Sequence, residues 1–324
     1  MRDGFGRTKI LYAPQCPFLS APVVEKIKAF QKAGGILVAD EKLLPALKAD
    51  VVVPVMAYKT PPKSDHAEDV DAATKTMVNT AARRFTANAK EWMLAEAEKL
   101  RAALASKCAY APKADSSSPE IVTYSRAWHG TPYVFALNDK RTFGDYVGQW
   151  GLTMEKGLPF AGEVTLADPE GKIGAVYELS RGGEVKFERR EGGGRNKLRP
   201  SRLGDVVVPV SYDTNDGRLL VFLPRKIASV EADVAKTGDT LNVTMTVRDA
   251  AGEPVQALLP VEIRVYDAAG RELDGAGYAC AAGGTCRLSV RTNLNDAPGA
   301  YRVICRDRAS GLACERLTRV TGDR

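Results

Sequence analysis

From residue 120 onward the chain is divided into short alternating segments, and nothing else in the sequence restricts the fold as tightly. "EIVTYSRAW", "TPYVFALND", "GEVTLAD", "GAVYELS", "GEVKFERR", "DVVVPVS" and "GRLLVFLP" follow one another between turn residues. Apolar residues recur at alternate positions within them, which puts them on one face of an extended strand. Short strands at this spacing predict antiparallel hairpins, and "TNDG" at 214–217 reads as one tight turn. From about residue 230 a second set begins with "SVEADVA", "TLNVTMTVRDA" and "PVEIRVYDAAG", and continues through "CRLSVRTNL", "GAYRVICRD" and "ACERLTRV". This set predicts an immunoglobulin-like sandwich.

The first 60 residues obey a different rule. "KILYAPQ" is a short apolar run that ends at a proline. Ser20 is placed as an N-cap with Pro22 inside the first turn, and Val23, Val24, Ile27, Ala29 and Phe30 form a helical stripe. Gly34 and Gly35 stop that helix, and "ILVAD" follows as a buried parallel strand. "VVVPVM" at 51–56 reads as a further extended segment, and "PPKSDHAE" at 61–68 as a loop. Met77, Ala81, Phe85, Ala89, Met93, Ala97, Leu100 and Leu104 predict a helical segment over 69–107. One helix of that length exceeds the usual globular range, so a break is expected near Asn88.

A chain of 324 residues accommodates two or three domains. The net charge of +6 is spread along the sequence, so neither nucleic acid nor a membrane surface is an expected partner. No apolar run is long enough for a membrane span, and "MRDGFGRTKILYAP" is not a signal peptide. Cys280 and Cys286 flank "AAGGT", and Cys305 and Cys314 flank "RDRASGLA". Each spacing suits a bridge across a hairpin, which implies an oxidising compartment, secreted or periplasmic. The alternative is a set of buried free thiols. Zinc is disfavoured by the ligand spacing and by the distance of both histidines.

No catalytic constellation emerges. GxSxG, GxGxxG and the Walker A order are missing, and "GGGRNKLRPS" at 192–201 reads as a hairpin loop. "DTNDG" at 213–217 lacks the spacing and closing glutamate of a calcium loop. His66 sits in a polar loop and His129 in or beside a turn. Cys16 follows the first strand without an elbow or a base. The reading therefore names no catalytic residue, no metal ligand and no cofactor. Trp128, Tyr133, Phe135 and Trp150 offer a sugar-stacking platform, with Trp128, Tyr133 and Trp150 as the candidate carbohydrate contacts. Tyr133 and Phe135 alternate on one strand, so membership of a core is the alternative.

"KILYAPQCPFLSAPVVEKIKAFQKAGGILVAD" resembles part of the glutamine-amidotransferase-like trimerisation domain of glycoside hydrolase family 42, the β-galactosidases. "EIVTYSRAWHGTPYVFALNDKR", "AVYELS" and "GRLLVFLPRKIASV" are similar to the β domain that follows in those enzymes, and 230–324 resembles immunoglobulin- or macroglobulin-like modules of secreted bacterial proteins. The resemblance implies an α+β multidomain chain. A partial flavodoxin- or amidotransferase-like α/β domain with a helical segment would span 1–115, an antiparallel β domain 116–230, and a β-sandwich 231–324. It also implies a non-catalytic accessory part of a β-galactosidase-like enzyme, with the barrel and the first strands encoded upstream. The expected partners are that barrel or a sister subunit through the α/β part. The rival expectation is a secreted carbohydrate-binding or adhesion module that holds a glycan.

Overall fold

Most of the alternating segments after residue 120 form strands, although in "GEVKFERR" only Glu188–Arg189 do, and strands dominate the described residues. The structure, a computed structural model, describes residues 5–6, 8–54, 69–71, 76–78, 94–108, 113–141, 146–147, 153–154, 157–190 and 204–320. The chain divides into two units, residues 1–111 with 141–156 and residues 112–140 with 157–324.

In the first unit β1 (Ile10–Ala13), β2 (Ile36–Ala39) and β3 (Val51–Val52) form a parallel sheet in the order β1-β2-β3. Helix α1 (Ala21–Lys32) connects β1 to β2 and buries Val24, Ile27 and Phe30. Ser20 has the extended backbone of an N-cap, although its side chain makes no capping bond. The helix stops at Gly34, whose φ of +87° is left-handed. Val24 and Ile27 pack with Leu37 on one face of the sheet. On the other face Val38 and Val51 pack with Leu100 and Leu104 of a second helix, 94–105.

The α+β class with a flavodoxin- or amidotransferase-like unit does not hold. A doubly wound sheet reverses its strand order at a switch point, whereas this one runs sequentially through three strands in a chain that is mostly β. The long helical segment is also cut. β4 (Asp69–Asp71) and β5 (Thr76–Val78) pair antiparallel, which places Met77 in a strand. Ala97, Leu100 and Leu104 lie in the second helix, while Ala81, Phe85, Asn88, Ala89 and Met93 fall outside the described residues. Met77 shows why the period misled: a period-3.6 match spread over a long window does not test any single residue's local pairing. A two-stranded ribbon of β9 (Tyr146–Val147) and β10 (Thr153–Met154) completes the elements described in this unit.

The second unit begins with two four-stranded antiparallel sheets. One contains β6 (Ala114–Ser116), β11 (Phe160–Leu166), β14 (Val206–Tyr212) and β13 (Glu188–Arg189), and the other β7 (Ile121–Trp128), β8 (Thr131–Asn138), β15 (Gly217–Leu223) and β12 (Ala175–Glu178). Their facing sides enclose a core of Val134, Ala136, Val164, Val208, Leu220 and Phe222. A seven-stranded sheet follows: β16 (Ile227–Thr237), β17 (Thr240–Asp249), β18 (Leu258–Tyr266), β19 (Gly277–Ala282), β20 (Thr285–Arg291), β21 (Gly299–Asp307) and β22 (Ala313–Val320).

The spatial order of this sheet is β16-β17-β20-β19-β18-β21-β22. Lettered A to G along the chain, the order is A-B-E-D-C-F-G, which matches the ABED and CFG sheets of an immunoglobulin constant-type domain. β19 pairs with β18 here, so the two halves are one continuous curled sheet rather than the two separate sheets of a sandwich. The curl brings β22 to β16, where Arg316 Nε donates to the Ala232 carbonyl at 3.0 Å. Inside lie Leu241, Val243, Met245, Leu259, Ile263, Tyr301 and Val303.

Candidate functional site

The β7–β8 hairpin turns on His129 and Gly130, with φ of 45° and 90°. Two consecutive positive φ values are what a two-residue type I′ turn demands. The resulting register sets Tyr124 opposite Phe135, Arg126 opposite Tyr133 and Trp128 opposite Thr131. Residues directly opposite share a face, so Val122, Tyr124, Arg126 and Trp128 stand beside Thr131, Tyr133, Phe135 and Leu137. Leu219 and Val221 of β15 and Tyr177 of β12 extend the same face. It is the side of the sheet turned away from its own sandwich core.

One end of this face is buried against the seven-stranded sheet. Tyr133, Ala175, Tyr177, Val221 and Leu223 join a single core with Ala257, Leu259 and Val261. β18 runs past the end of β21, because their ladder starts at Val261 opposite Asp307. Leu258 therefore has a free backbone edge, and Tyr133 Oη completes it. The phenol oxygen accepts from the Leu258 N–H at 2.6 Å and donates to the Leu258 carbonyl at 3.0 Å. The Thr131 hydroxyl donates to the Gln256 carbonyl, and Tyr177 Oη accepts from the Ile227 N–H at 2.9 Å. Each hydroxyl satisfies a backbone group at this joint, Leu258 and Gln256 being residues that remain partly open to water. Burial pushes the Tyr133 and Tyr177 phenols up, so both stay protonated at neutral pH. A further tie joins the Gly183 N–H to the Ala309 carbonyl at 2.6 Å.

The other end of the face is open. Val122, Tyr124, Phe135 and Leu137 are all exposed, with Phe135 at 40% and Leu137 at 52%. The Tyr124 and Phe135 rings lie 6.5 Å apart, and the Arg126 guanidinium sits 4.6 Å from the Tyr124 ring centre. The two rings are tilted by 48° to each other and present exposed aromatic surface beside a cation, which can contact an apolar or sugar face.

Of the three carbohydrate candidates, the structure brings Trp128 and Tyr133 onto this one face, at its covered end. Tyr133 is 8% exposed, and Trp128 is half-buried between His129, 4.4 Å away, and the turn at Gly283. Trp150 lies outside the described residues, as do His66 and the loop 192–201. Tyr124 and Arg126 were not singled out from sequence. Their alternation in "TYSRAW" puts them on a common face, but only the hairpin register shows that Phe135 shares it.

All six cysteines are free thiols. Cys305 stands directly opposite Cys314 in the β21–β22 ladder. Cys280 and Cys286 are not brought together in this way. Ala282 pairs with Thr285 across the Gly283–Gly284 turn, so Cys286 lies across from Ala281 and Cys280 points to the other face. Accordingly Cys280 is exposed and Cys286 buried. Cys16 is partly exposed and donates to the Pro14 carbonyl at 3.3 Å.

The acidic groups serve as anchors. Arg218 is buried, 2.7 Å from Asp216 and 3.5 Å from Glu178. Burial pushes the Asp216 carboxyl up, but the Asp213 and Gly217 amides and the Arg218 and Arg181 guanidiniums outweigh it and hold it below the usual range. Asp249 is also held low: burial opposes the shift, and Arg225 with the Ala251 and Glu253 amides wins. Asp267 is lowered to about 2 by the Ala297 amide first, then by Arg271, against burial. A glycosidase general acid requires the opposite shift. Among the described residues no group of three or more His, Cys, Asp or Glu side chains is arranged to hold a metal, and no helix is long and apolar enough to cross a membrane.

No protein-family model matches the sequence, and no curated protein matches it. Among solved structures the chain is similar to β-glucuronidase from Lactobacillus rhamnosus, with 11% identity, a TM-score of 0.20, and coverage of 65% of this chain and 45% of that one. It is likewise similar to β-glucuronidase from Ruminococcus gnavus, with 11% identity, a TM-score of 0.20, and coverage of 63% and 44%. The chain thus spans less than half the length of these glycoside hydrolases. TM-scores of this size do not establish a common fold, and both structures are β-glucuronidases, not β-galactosidases.

Proposed function

We propose that the chain is a rigid, non-catalytic support of a β-galactosidase-like glycoside hydrolase. The observation that carries this reading is the shared core between the sandwich and the seven-stranded sheet, pinned by Thr131, Tyr133 and Tyr177. A freely acting binding module is tethered by a flexible linker. Here β15 ends at Leu223 and β16 starts at Ile227, and the first amide of β16 is already held by Tyr177. Such a joint transmits position, which is what a support does. The strands that resemble family 42, "YVFALN", "AVYELS" and "GRLLVFLP", are the strands that build this joint. The test is hydrolysis of aryl glycosides by the purified chain. None is expected, and turnover that a single carboxylate substitution abolishes would overturn the reading.

A second reading, a carbohydrate-binding module, is favoured by the open rings of Tyr124 and Phe135 beneath Arg126. It predicts retardation of the chain in polysaccharide-containing native gels and loss of that retardation in Phe135→Ser. Unchanged mobility across a panel of neutral and acidic polysaccharides would remove it.

A further inference from the structure

Cys305 and Cys314 are paired by the ladder itself. Directly opposite residues of an antiparallel pair have Cα atoms about 4.5 or about 5.5 Å apart, depending on their place in the hydrogen-bond pattern. Both separations fall inside the range a disulfide spans, about 4.4–6.8 Å. Their side chains emerge on the same face. The two differ in access. Cys305 is fully buried in the core, whereas Cys314 is partly exposed. The Arg316 guanidinium also acts on Cys314, two residues along β22.

We propose that Cys305 and Cys314 form an oxidisable dithiol, in which Cys314 attacks a low-molecular-weight disulfide such as oxidised glutathione and Cys305 then closes the bridge. The Cys314 thiolate attacks one sulfur of oxidised glutathione, the S–S bond breaks, and one glutathione leaves as thiolate. Cys314 is left as a mixed disulfide. Cys305 then attacks the Cys314 sulfur, its proton passes to the departing second glutathione thiolate, and the protein disulfide forms. Two protein thiols are oxidised and one molecule of oxidised glutathione is reduced to two of glutathione. The order of attack follows from access and charge. The paired Cys305 thiol first, and the Arg316 guanidinium second, hold the Cys314 thiol below the usual range against the effect of burial. For Cys280, an exposed residue, partial desolvation of the sulfur acts alone and pushes the thiol up. The bridge would tie β22 to β21 at the strand that meets β16 across the curl.

The experiment uses the full chain, oxidised with oxidised glutathione, quenched with acid and digested with trypsin. Arg302, Arg306, Arg308 and Arg316 place Cys305 and Cys314 on separate peptides. The expected product is a linked pair of peptides 303–306 and 309–316. Cys314→Ser should leave Cys305 unmodified, and Cys305→Ala should accumulate glutathione on Cys314. A Cys286–Cys305 link, or oxidised protein in which both thiols survive, would overturn the proposal. Cys305 is buried, so its variant can fail by unfolding, and a second measurement needs no variant. Iodoacetamide at pH 7 should label Cys314 at least about tenfold faster than Cys280. Equal rates would refute Cys314 as the attacking thiol.

Discussion

Tyr133→Phe removes one oxygen and keeps the ring, so it isolates the hydrogen bonds at the joint from its packing. The lost bonds are the 2.6 Å bond from the Leu258 amide and the 3.0 Å bond to the Leu258 carbonyl. β21 cannot replace them, because its pairing with β18 begins three residues later at Val261. Leaving a shielded backbone donor or acceptor unmade costs about 1–3 kcal/mol. Leu258 itself is 38% exposed, so water reaches part of this edge and the lower half of that range applies. The expected loss is about 1–2 kcal/mol, roughly a tenfold change in the unfolding equilibrium. Urea denaturation followed by far-UV circular dichroism measures it. Amide hydrogen exchange locates it, because the Leu258 amide should lose protection while amides in the centre of β17 keep theirs. A variant within about 0.3 kcal/mol of the parent, with Leu258 still protected, would show that the phenol does not complete this strand edge.

Four further outcomes follow from the same structure. Gly182 has φ of +78°, and an added Cβ would lie 2.8 Å from the Arg308 carbonyl oxygen; Gly182→Ala should therefore destabilise by at least about 1–2 kcal/mol in thermal or urea unfolding. Tyr212 Oη is buried with no hydrogen-bond partner among the described residues, so Tyr212→Phe should be neutral or stabilise by about 1 kcal/mol, and a loss of that size would reveal a partner. Asp267 has its folded pKa lowered to about 2 from 3.8, so its contribution is present above about pH 4 and is lost as the pH falls toward 2; Asp267→Asn should flatten the stability profile across that window. Phe135 is 40% exposed, so replacing it by Ser should lose only the covered part of its burial, about 1 kcal/mol, and unfolding curves shifted by much more would show that the ring is a core residue.

The β character of the chain was written in its residue alternation, because a period of two is a local property. β17 shows it plainly: "TLNVTMTVRD" alternates half-buried and buried along its whole length. The βαβ stretch was legible for the same reason, since the α1 stripe, the glycine stop and the "ILVA" strand are all local signals. What that stretch belonged to was not legible. Its sheet runs β1-β2-β3 without reversal, and strand order is a matter of pairing between distant segments. Met77 was misread because spacing over a long window outvoted the short ribbon in which it sits.

The site divides in the same way. Alternation alone placed Tyr133 and Phe135 on one face, but only the tertiary structure decided that Tyr133 closes a strand edge while Phe135 stays open. The cysteine spacings looked equivalent along the chain. The Ala282–Thr285 pairing then turned Cys280 and Cys286 to opposite faces, while the β21–β22 ladder set Cys305 against Cys314. A one-residue difference in hairpin register reverses every side chain, so which residues meet was decided by the pairing, while after residue 120 most of the strands were already legible in the sequence.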